Sequence, residues 1–325
     1  HGDSSSNPLM KLVDRYGLST KATEWDETWL FDIGYGEIED ESYDSIWRRS
    51  EDIIERLYEA QSTASSQRSV ADALAPILKR LSGDSIVKRG IQWRLASEIE
   101  VEYADNYDQL SLKHWGMDEK FRGDDVVVSG GFQKIVEPMT RGLDIRYGHV
   151  VDKVSYDGSG ARVTTNQGVI ESERVVVTIP LGVLQQERVQ FEPPLPEEKI
   201  DSIGRLGMGV MNKIALRFSK RFWPEDAYRL GLLNSSTENL TEYFPITPYS
   251  GESVIVGLTR GRHAKSIEMA SKEDVIQHAL SDLKLMFGSA VPYKPVGSVV
   301  TRWHSDEFSH GAYSHVFPGG AFSDY

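Results

Sequence analysis

The apolar positions of the chain change period several times, and each change marks an element. Residues 7–17 read as a short amphipathic segment. Around Trp25, Trp29, Leu30, Phe31 and Ile33 the apolar residues alternate irregularly, which suits strands or an extended loop over 25–36. From Ser42 to Ser82 the spacing turns helical. Ile53, Ile54, Leu57 and Tyr58 make one stripe, and Val70, Leu74, Ile77, Leu78 and Leu81 another, with Gly83 placed as a C-cap. Residues 85–102 predict a further helix.

The character shifts near Phe121. Residues 125–128 read as a strand ending at Gly130-Gly131, 132–142 have helical spacing, and 143–146 suit a short strand. Residues 150–156, 161–165 and 169–170 resemble an antiparallel meander, turning at Asp157-Gly158 and Asn166-Gln167-Gly168. Val175-Val176-Val177-Thr178-Ile179 reads as a buried strand stopped by Pro180. After Pro193, Pro194 and Pro196 come a helix near 197–203 and a strand over 209–218. Strands at 253–258 and 298–303 flank a long amphipathic helix over 272–287. Helices and strands are mixed without an internal repeat, so the pattern predicts two interleaved α/β layers and not one doubly wound unit.

Composition narrows the function more than the fold. The 325 residues allow two domains, and 39% hydrophobic with 26% charged residues is ordinary for a globular chain. No apolar run approaches the ~20 residues of a membrane span. A net charge of −13 disfavours nucleic acid as a partner. It suits a cationic small-molecule substrate, and equally an acidic, well-solvated surface. With no cysteine, disulfides, thiolate metal sites and cysteine-linked cofactors are excluded within the chain. The triplets starting at Asn234 and Asn239 fit a glycosylation pattern that matters only in a secreted protein. The chain starts at His1 and not Met, with no signal peptide after it, which suggests a cropped sequence.

Taken one at a time, the candidate motifs are modest. Gly130-Gly131 follows a strand as a phosphate cradle does, but no G-x-G-x-x-G accompanies it, and a turn explains the pair as well. The eight histidines lack H-E-x-x-H spacing, so no metal site is expected, and His310 and His315 read as surface residues. Lys213 lies inside the apolar run Met211-Asn212-Lys213-Ile214-Ala215-Leu216. Such a lysine is an edge or snorkelling residue, or, if buried, one whose lowered pKa suits proton chemistry.

In order, however, the motifs are specific. Residues 175–184 (VVVTIPLGVL) are followed by Phe191-Glu-Pro-Pro-Leu-Pro196 and Gly207-Met-Gly-Val-Met-Asn-Lys213, then Phe222-Trp223, Arg302-Trp303 and Gly311-Ala-Tyr313-Ser314. With His1-Gly2, Asn7-Pro8-Leu9 and Gly130-Gly131-Phe132, this order resembles the flavin-containing amine oxidases over nearly the whole chain. The polyamine oxidase type, related to lysine-specific histone demethylases and monoamine oxidases, is the nearest likeness.

The resemblance implies a mixed α+β fold with two interleaved domains. Residues 1–15, 120–186 and 300–325 would form parts of a Rossmann-like FAD-binding domain, and 16–119 and 187–299 a mixed-sheet and helical substrate domain. That FAD domain would be incomplete, since the family's Gly-rich loop would precede His1 and its second FAD segment would follow Tyr325. Val151, Pro180, Leu181 and Trp303 match cofactor-contacting positions, although Trp303 suits a core aromatic equally well. Lys213 matches a catalytic lysine that holds a water against flavin N5. Tyr313 matches an aromatic wall beside the amine. Ala312 stands where monoamine oxidases carry a flavin-linked cysteine, so FAD is expected to be non-covalent.

For the substrate, His1 matches a histidine near the channel, and Glu100 and Glu102 fall where polyamine oxidases face a carboxylate to the cation. A solvated face or edge strand explains Glu98, Glu100 and Glu102 as well. The implied chemistry is hydride transfer from the carbon beside an amine nitrogen to flavin N5. Imine hydrolysis and reoxidation by O2 then give hydrogen peroxide. The implied substrate is a polyamine (spermine, spermidine or acetylated forms). A silent fragment or binding module unable to hold FAD, a histone demethylase-like enzyme and another amine oxidase stand as alternatives. A peroxisomal or cytoplasmic setting is favoured over secretion; oligomeric state is left open.

Overall fold

Asn7 caps the first helix of the computed structural model. Its side chain accepts a hydrogen bond from Leu9 N (2.9 Å), and Pro8 takes a position where a missing N–H costs nothing, so α1 spans Pro8–Arg15. The structure describes residues 7–24, 28–34, 36–81, 85–117, 121–233 and 241–325. His1, Trp25, Gly83, Asn234 and Asn239 lie outside these residues.

Strands β1 (Thr20–Ala22), β2 (Thr28–Asp32) and β3 (Gly36–Glu37) precede two longer helices, α2 (Asp40–Gln61) and α3 (Val70–Arg80). A capping box starts α3: Ser69 Oγ accepts from Asp72 N (3.1 Å), and the Asp72 carboxylate accepts from Ser69 N (2.9 Å). Helix α4 (Ser85–Leu95) runs into a π-helical turn at Ala96–Glu100 and a final turn, α5 (Val101–Tyr103). Then come β4 (Val126–Val128), α6 (Gln133–Met139) and the meander β5 (Val151–Asp157), β6 (Gly160–Thr165) and β7 (Gly168–Ser172). Next are α7 (Leu181–Gln185), β8 (Gln190–Glu192), α8 (Glu197–Arg205), β9 (Leu206–Gly209) and β10 (Met211–Arg217). The chain continues through β11 (Arg229–Leu233), β12 (Thr241–Pro245), α9 (Thr247–Ser250), β13 (Val254–Arg260) and α10 (Gly261–Glu268). It finishes with α11 (Lys272–Phe287), β14 (Gly297–Val300) and β15 (Tyr313–Val316).

One mixed sheet positions the site. Its order is β14-β10-β13-β12-β11-β2-β3, with β11 and β2 parallel and the other pairs antiparallel. Because side chains alternate along a strand, Ile214, Leu216, Leu230, Leu232 and Ile255 share one face. They bury themselves against Val275, Ala279, Leu280 and Leu283 of α11. The opposite face mixes polar Lys213, Glu242 and Arg229 with apolar Phe244, Val256 and Leu258. A helical layer packs separately through Ile53 and Leu57 of α2, Leu74 of α3 and Ile91 and Leu95 of α4. A small cluster joins Met10 and Val13 to Val128 and Ile135.

The mixed α+β architecture agrees with the sequence pattern, and four local expectations change. Residues 143–146 and 175–179 form no strand. Val176 is 85% exposed and neither segment joins a ladder among the described residues, so β-branched composition alone does not make a strand there. The expected strand over 209–218 splits at Val210, whose N–H donates to Ala104 O (2.8 Å). The expected helix over 85–102 is α-helical only to Leu95 before it widens.

Candidate functional site

Strands β10, β13 and β12 pair so that Lys213, Leu258 and Glu242 stand in one row on the sheet face turned away from α11. Two strand spacings, about 10 Å, separate the backbones of Lys213 and Glu242. Above this row opens a cavity of about 930 Å3, large enough for a drug-sized ligand. Lys213 lines it with an exposed side chain, although it sits inside the sheet and not at an edge.

The facing wall comes from the π turn and α5. Glu98 and Glu102 are four residues apart and share the inner surface with Ser97, Val101 and Tyr103. Glu100 points elsewhere. It is 3% exposed, ion-paired with Arg260, and accepts from Tyr107 N (3.0 Å) and Asn106 Nδ2 (3.3 Å). Of the two sequence candidates, the structure brings Glu102 to the cavity and gives Glu100 a buried structural role instead.

The deep end is a charged lattice. Arg229 Nε donates to Thr28 Oγ1 (2.7 Å), its Nη1 lies 3.7 Å from both Glu98 and Glu242, and its guanidinium lies 5.7 Å from the Trp93 ring centre. Ser97 Oγ donates to Glu242 Oε1 (2.7 Å), whereas the buried Glu242 Oε2 has no hydrogen-bond partner among the described residues. Burial pushes the Glu242 carboxyl above its usual range; Arg229 and the Ser97 hydroxyl work against that rise.

Tyr313 enters through β15, where it pairs with Gly209 of β9. Gly209 is needed there, since a Cβ would fall 2.6 Å from Tyr103 O and 2.8 Å from Ala104 O. This close approach sets Tyr313 beside the end of α5. Burial, with the negative charge of Glu102, raises the Tyr313 phenol.

Asn212, fully buried next to Lys213, ties the cavity to the loop after β14. Its Oδ1 accepts from Thr301 Oγ1 (3.1 Å) and Trp303 N (3.0 Å), and its Nδ2 donates to Glu268 Oε1 (2.7 Å). Glu268 also accepts from His304 N (2.9 Å) and Ser305 N (2.8 Å). Trp303 is thereby held beside the Lys213 strand with 41% of its surface exposed, so a buried core aromatic does not describe it. The loop returns through Gly311 N to Trp303 O (2.9 Å) and Ala312 N to Gly209 O (2.7 Å). Pro180 and Leu181 open α7 against the same loop, where a Cβ on Gly182 would fall 2.5 Å from Ser309 O.

Lys213, Glu102 and Tyr313 therefore line one cavity; Trp303, Pro180 and Leu181 do not line it and belong to or pack on the loop after β14. Val151 begins β5 in the separate meander and does not line it. His1 lies outside the described residues. His315, expected at the surface, is 2% exposed, because β15 turns it inward over Gly207. Sequence reasoning missed Arg229 and Glu242, since neither β11 nor β12 shows a readable polar alternation. Asn212 was visible only as part of a motif.

A family model described as flavin containing amine oxidoreductase matches residues 4–325. The chain belongs to this family. It is 30% identical to polyamine oxidase 2 of Arabidopsis thaliana over 98% of the chain and 67% of that protein. It is 31% identical to lysine-specific histone demethylase 1 homolog 2 of the same plant, over 84% of the chain and 38% of the relative. Among solved structures, wild-type putrescine oxidase bound to putrescine superposes with a TM-score of 0.67 at 20% identity, covering 96% of this chain and 75% of that one. That likeness is one of fold. The chain spans about two thirds of the length of the polyamine oxidases it matches.

The cofactor of this amine oxidoreductase is FAD. The residues fit a flavin: Trp303, its indole partly exposed, is tied through Asn212 to the strand of Lys213, and Lys213 and the half-exposed Tyr313 line one cavity. With no cysteine in the chain, nothing here offers a thioether link.

Proposed function

We propose that this amine oxidoreductase acts on aliphatic di- and polyamines, such as spermine, spermidine or their acetylated forms, with O2 as final oxidant. The observation that carries the reading is the row Lys213–Leu258–Glu242 facing Glu98 and Glu102 across one cavity. A polyamine spaces its charges by roughly four methylenes, and Glu242, its backbone two strand spacings or about 10 Å from that of Lys213, is placed for the next ammonium. Phe244, Val256 and Leu258 supply apolar wall for the methylenes between.

Trp303, Pro180 and Leu181 would hold FAD, which would supply the two-electron acceptor. The chain's own residues do the rest. Glu102 and Glu242 hold distal ammonium groups in their charged form and fix the register of the substrate. Tyr313 walls the reacting nitrogen. Lys213 would place a cation and a proton donor beside that acceptor, where negative charge would develop, and not on the amine carbon. The reacting nitrogen itself must be neutral, so turnover rises with pH as that nitrogen loses its proton. In this reading segments 1–15, 120–186 and 300–325 serve the cofactor, and 16–119 and 187–299 the substrate.

Amine profiling with peroxide detection tests the proposal. Turnover of spermine or spermidine well above benzylamine is expected. Turnover of benzylamine with none on any polyamine would overturn the substrate class, and failure to retain FAD at all would favour a binding module.

A further inference from the structure

Behind the sheet lies a second cavity of about 280 Å3, between its α11-packed face and helices α10 and α11. The sheet lies between it and the cavity above: Ile214 faces it while Lys213, the preceding residue, faces the other way, and Glu242 and Leu258 contribute to both linings. Its floor is aromatic. The Tyr243 ring lies across Gly257, where a Cβ would fall 2.7 Å from the ring, and Tyr243 OH donates to Asp282 Oδ2 (3.1 Å). Ile214, Ile267, Val275 and Ala279 make apolar walls.

The ionisable lining is unevenly charged. Asp274 and Asp282 bring carboxylates; burial raises the Asp282 group, and His278, 3.9 Å away through Nε2, opposes the rise. His263 also lines the cavity, but burial, helped by His278 and Arg260, holds its pKa at about 4, so it is neutral at pH 7. An apolar chamber with an aromatic floor and a largely buried carboxylate at one side recognises a cation with an apolar body. Its volume is less than a third of that of the front cavity, which suits a compact ligand and not a long polyamine.

We propose that this back cavity binds a small monovalent primary ammonium ion, its N–H groups on Asp282 and its carbon body against Tyr243, Ile267 and Val275. The proposed contacts use none of Lys213, Glu98, Glu102 and Tyr313 of the front cavity. Its occupant shares the ammonium group of the proposed substrate but differs in size.

Calorimetric titration of the purified protein with cyclohexylammonium chloride tests this, with neutral cyclohexanol as the matched control. Saturable binding of the ammonium ion is expected, with cyclohexanol weaker by roughly tenfold or more because a charge-assisted bond is lost. Asp282→Asn, which keeps an acceptor for Tyr243, should weaken the ammonium ion to a similar degree. Val275→Phe, which fills the chamber from α11, should abolish binding, and Glu102→Gln should leave it unchanged. No saturable binding, equal binding of the alcohol, or binding lost in Glu102→Gln but retained in Asp282→Asn would overturn the proposal. The first two of these outcomes need no variant, so a variant that fails to fold leaves the test intact.

Discussion

At the scale of single residues, the site depends on charges facing each other across one cavity. Lys213→Met removes the only lysine lining it among the described residues while keeping the side-chain length. Stopped-flow absorbance should show flavin reduction or reoxidation slowed by about tenfold or more, given the usual cost of losing an electrostatic stabiliser. Unchanged kinetics would remove Lys213 from its role. Glu102→Gln should raise KM for spermidine by about 10- to 100-fold, the worth of a hydrogen bond to a charged group. With benzylamine, which has no distal ammonium, KM should barely move. Lys213, Tyr313 and Glu102 were legible in the sequence because ordered motifs or a recognisable stretch carry them. The choice between Glu100 and Glu102 was not, because it depends on helix phase through the π turn. Glu242 left no mark at all, since its place in the cavity arises from register with Leu258 and Lys213.

At the scale of elements, periodicity succeeded where one face is buried. Helix α11 matches its expected span because Val275, Ala279, Leu280 and Leu283 recur at helical spacing against the sheet. The meander β5–β7 was readable from its turns. Failure came where a strand depends on a distant partner: β11 pairs with β2 across about 200 positions, and residues 175–179 have the composition of a strand without a ladder. Local signals also set element starts. Ser69→Ala removes the acceptor for Asp72 N at the head of α3 and should lower stability by about 1 kcal/mol, measured by urea unfolding. An unchanged midpoint would show that tertiary packing alone holds that end.

At the scale of the whole molecule, buried histidines make stability depend on pH. Burial holds His315 and His263 at about 4, below the ordinary 6.5. Between these values the unfolded chain binds more protons, so stability is full above about pH 6.5 and falls as pH drops toward 4. The more deeply buried His315 accounts for up to about 3 kcal/mol across that window, and the partly exposed His263 for less, because solvent screens it. Thermal unfolding from pH 7 to 4 should show the decline, and His315→Asn should flatten part of it; an identical slope in the variant would contradict the assignment. The mixed fold class and the family were legible at this scale. The substrate cavity was not, because it is assembled from β10, β12, β13, β15 and the turn after α4, which only the folded chain brings together.

The central claim is that this cavity selects amines carrying a second positive charge. Its most direct test is peroxide production by the purified protein supplied with FAD, comparing spermidine with benzylamine in wild type and in Glu242→Gln. Preference for spermidine in the wild type, reduced in the variant through a higher KM with kcat largely kept, is the predicted result. Equal turnover of both amines, unaffected by the substitution, would contradict it.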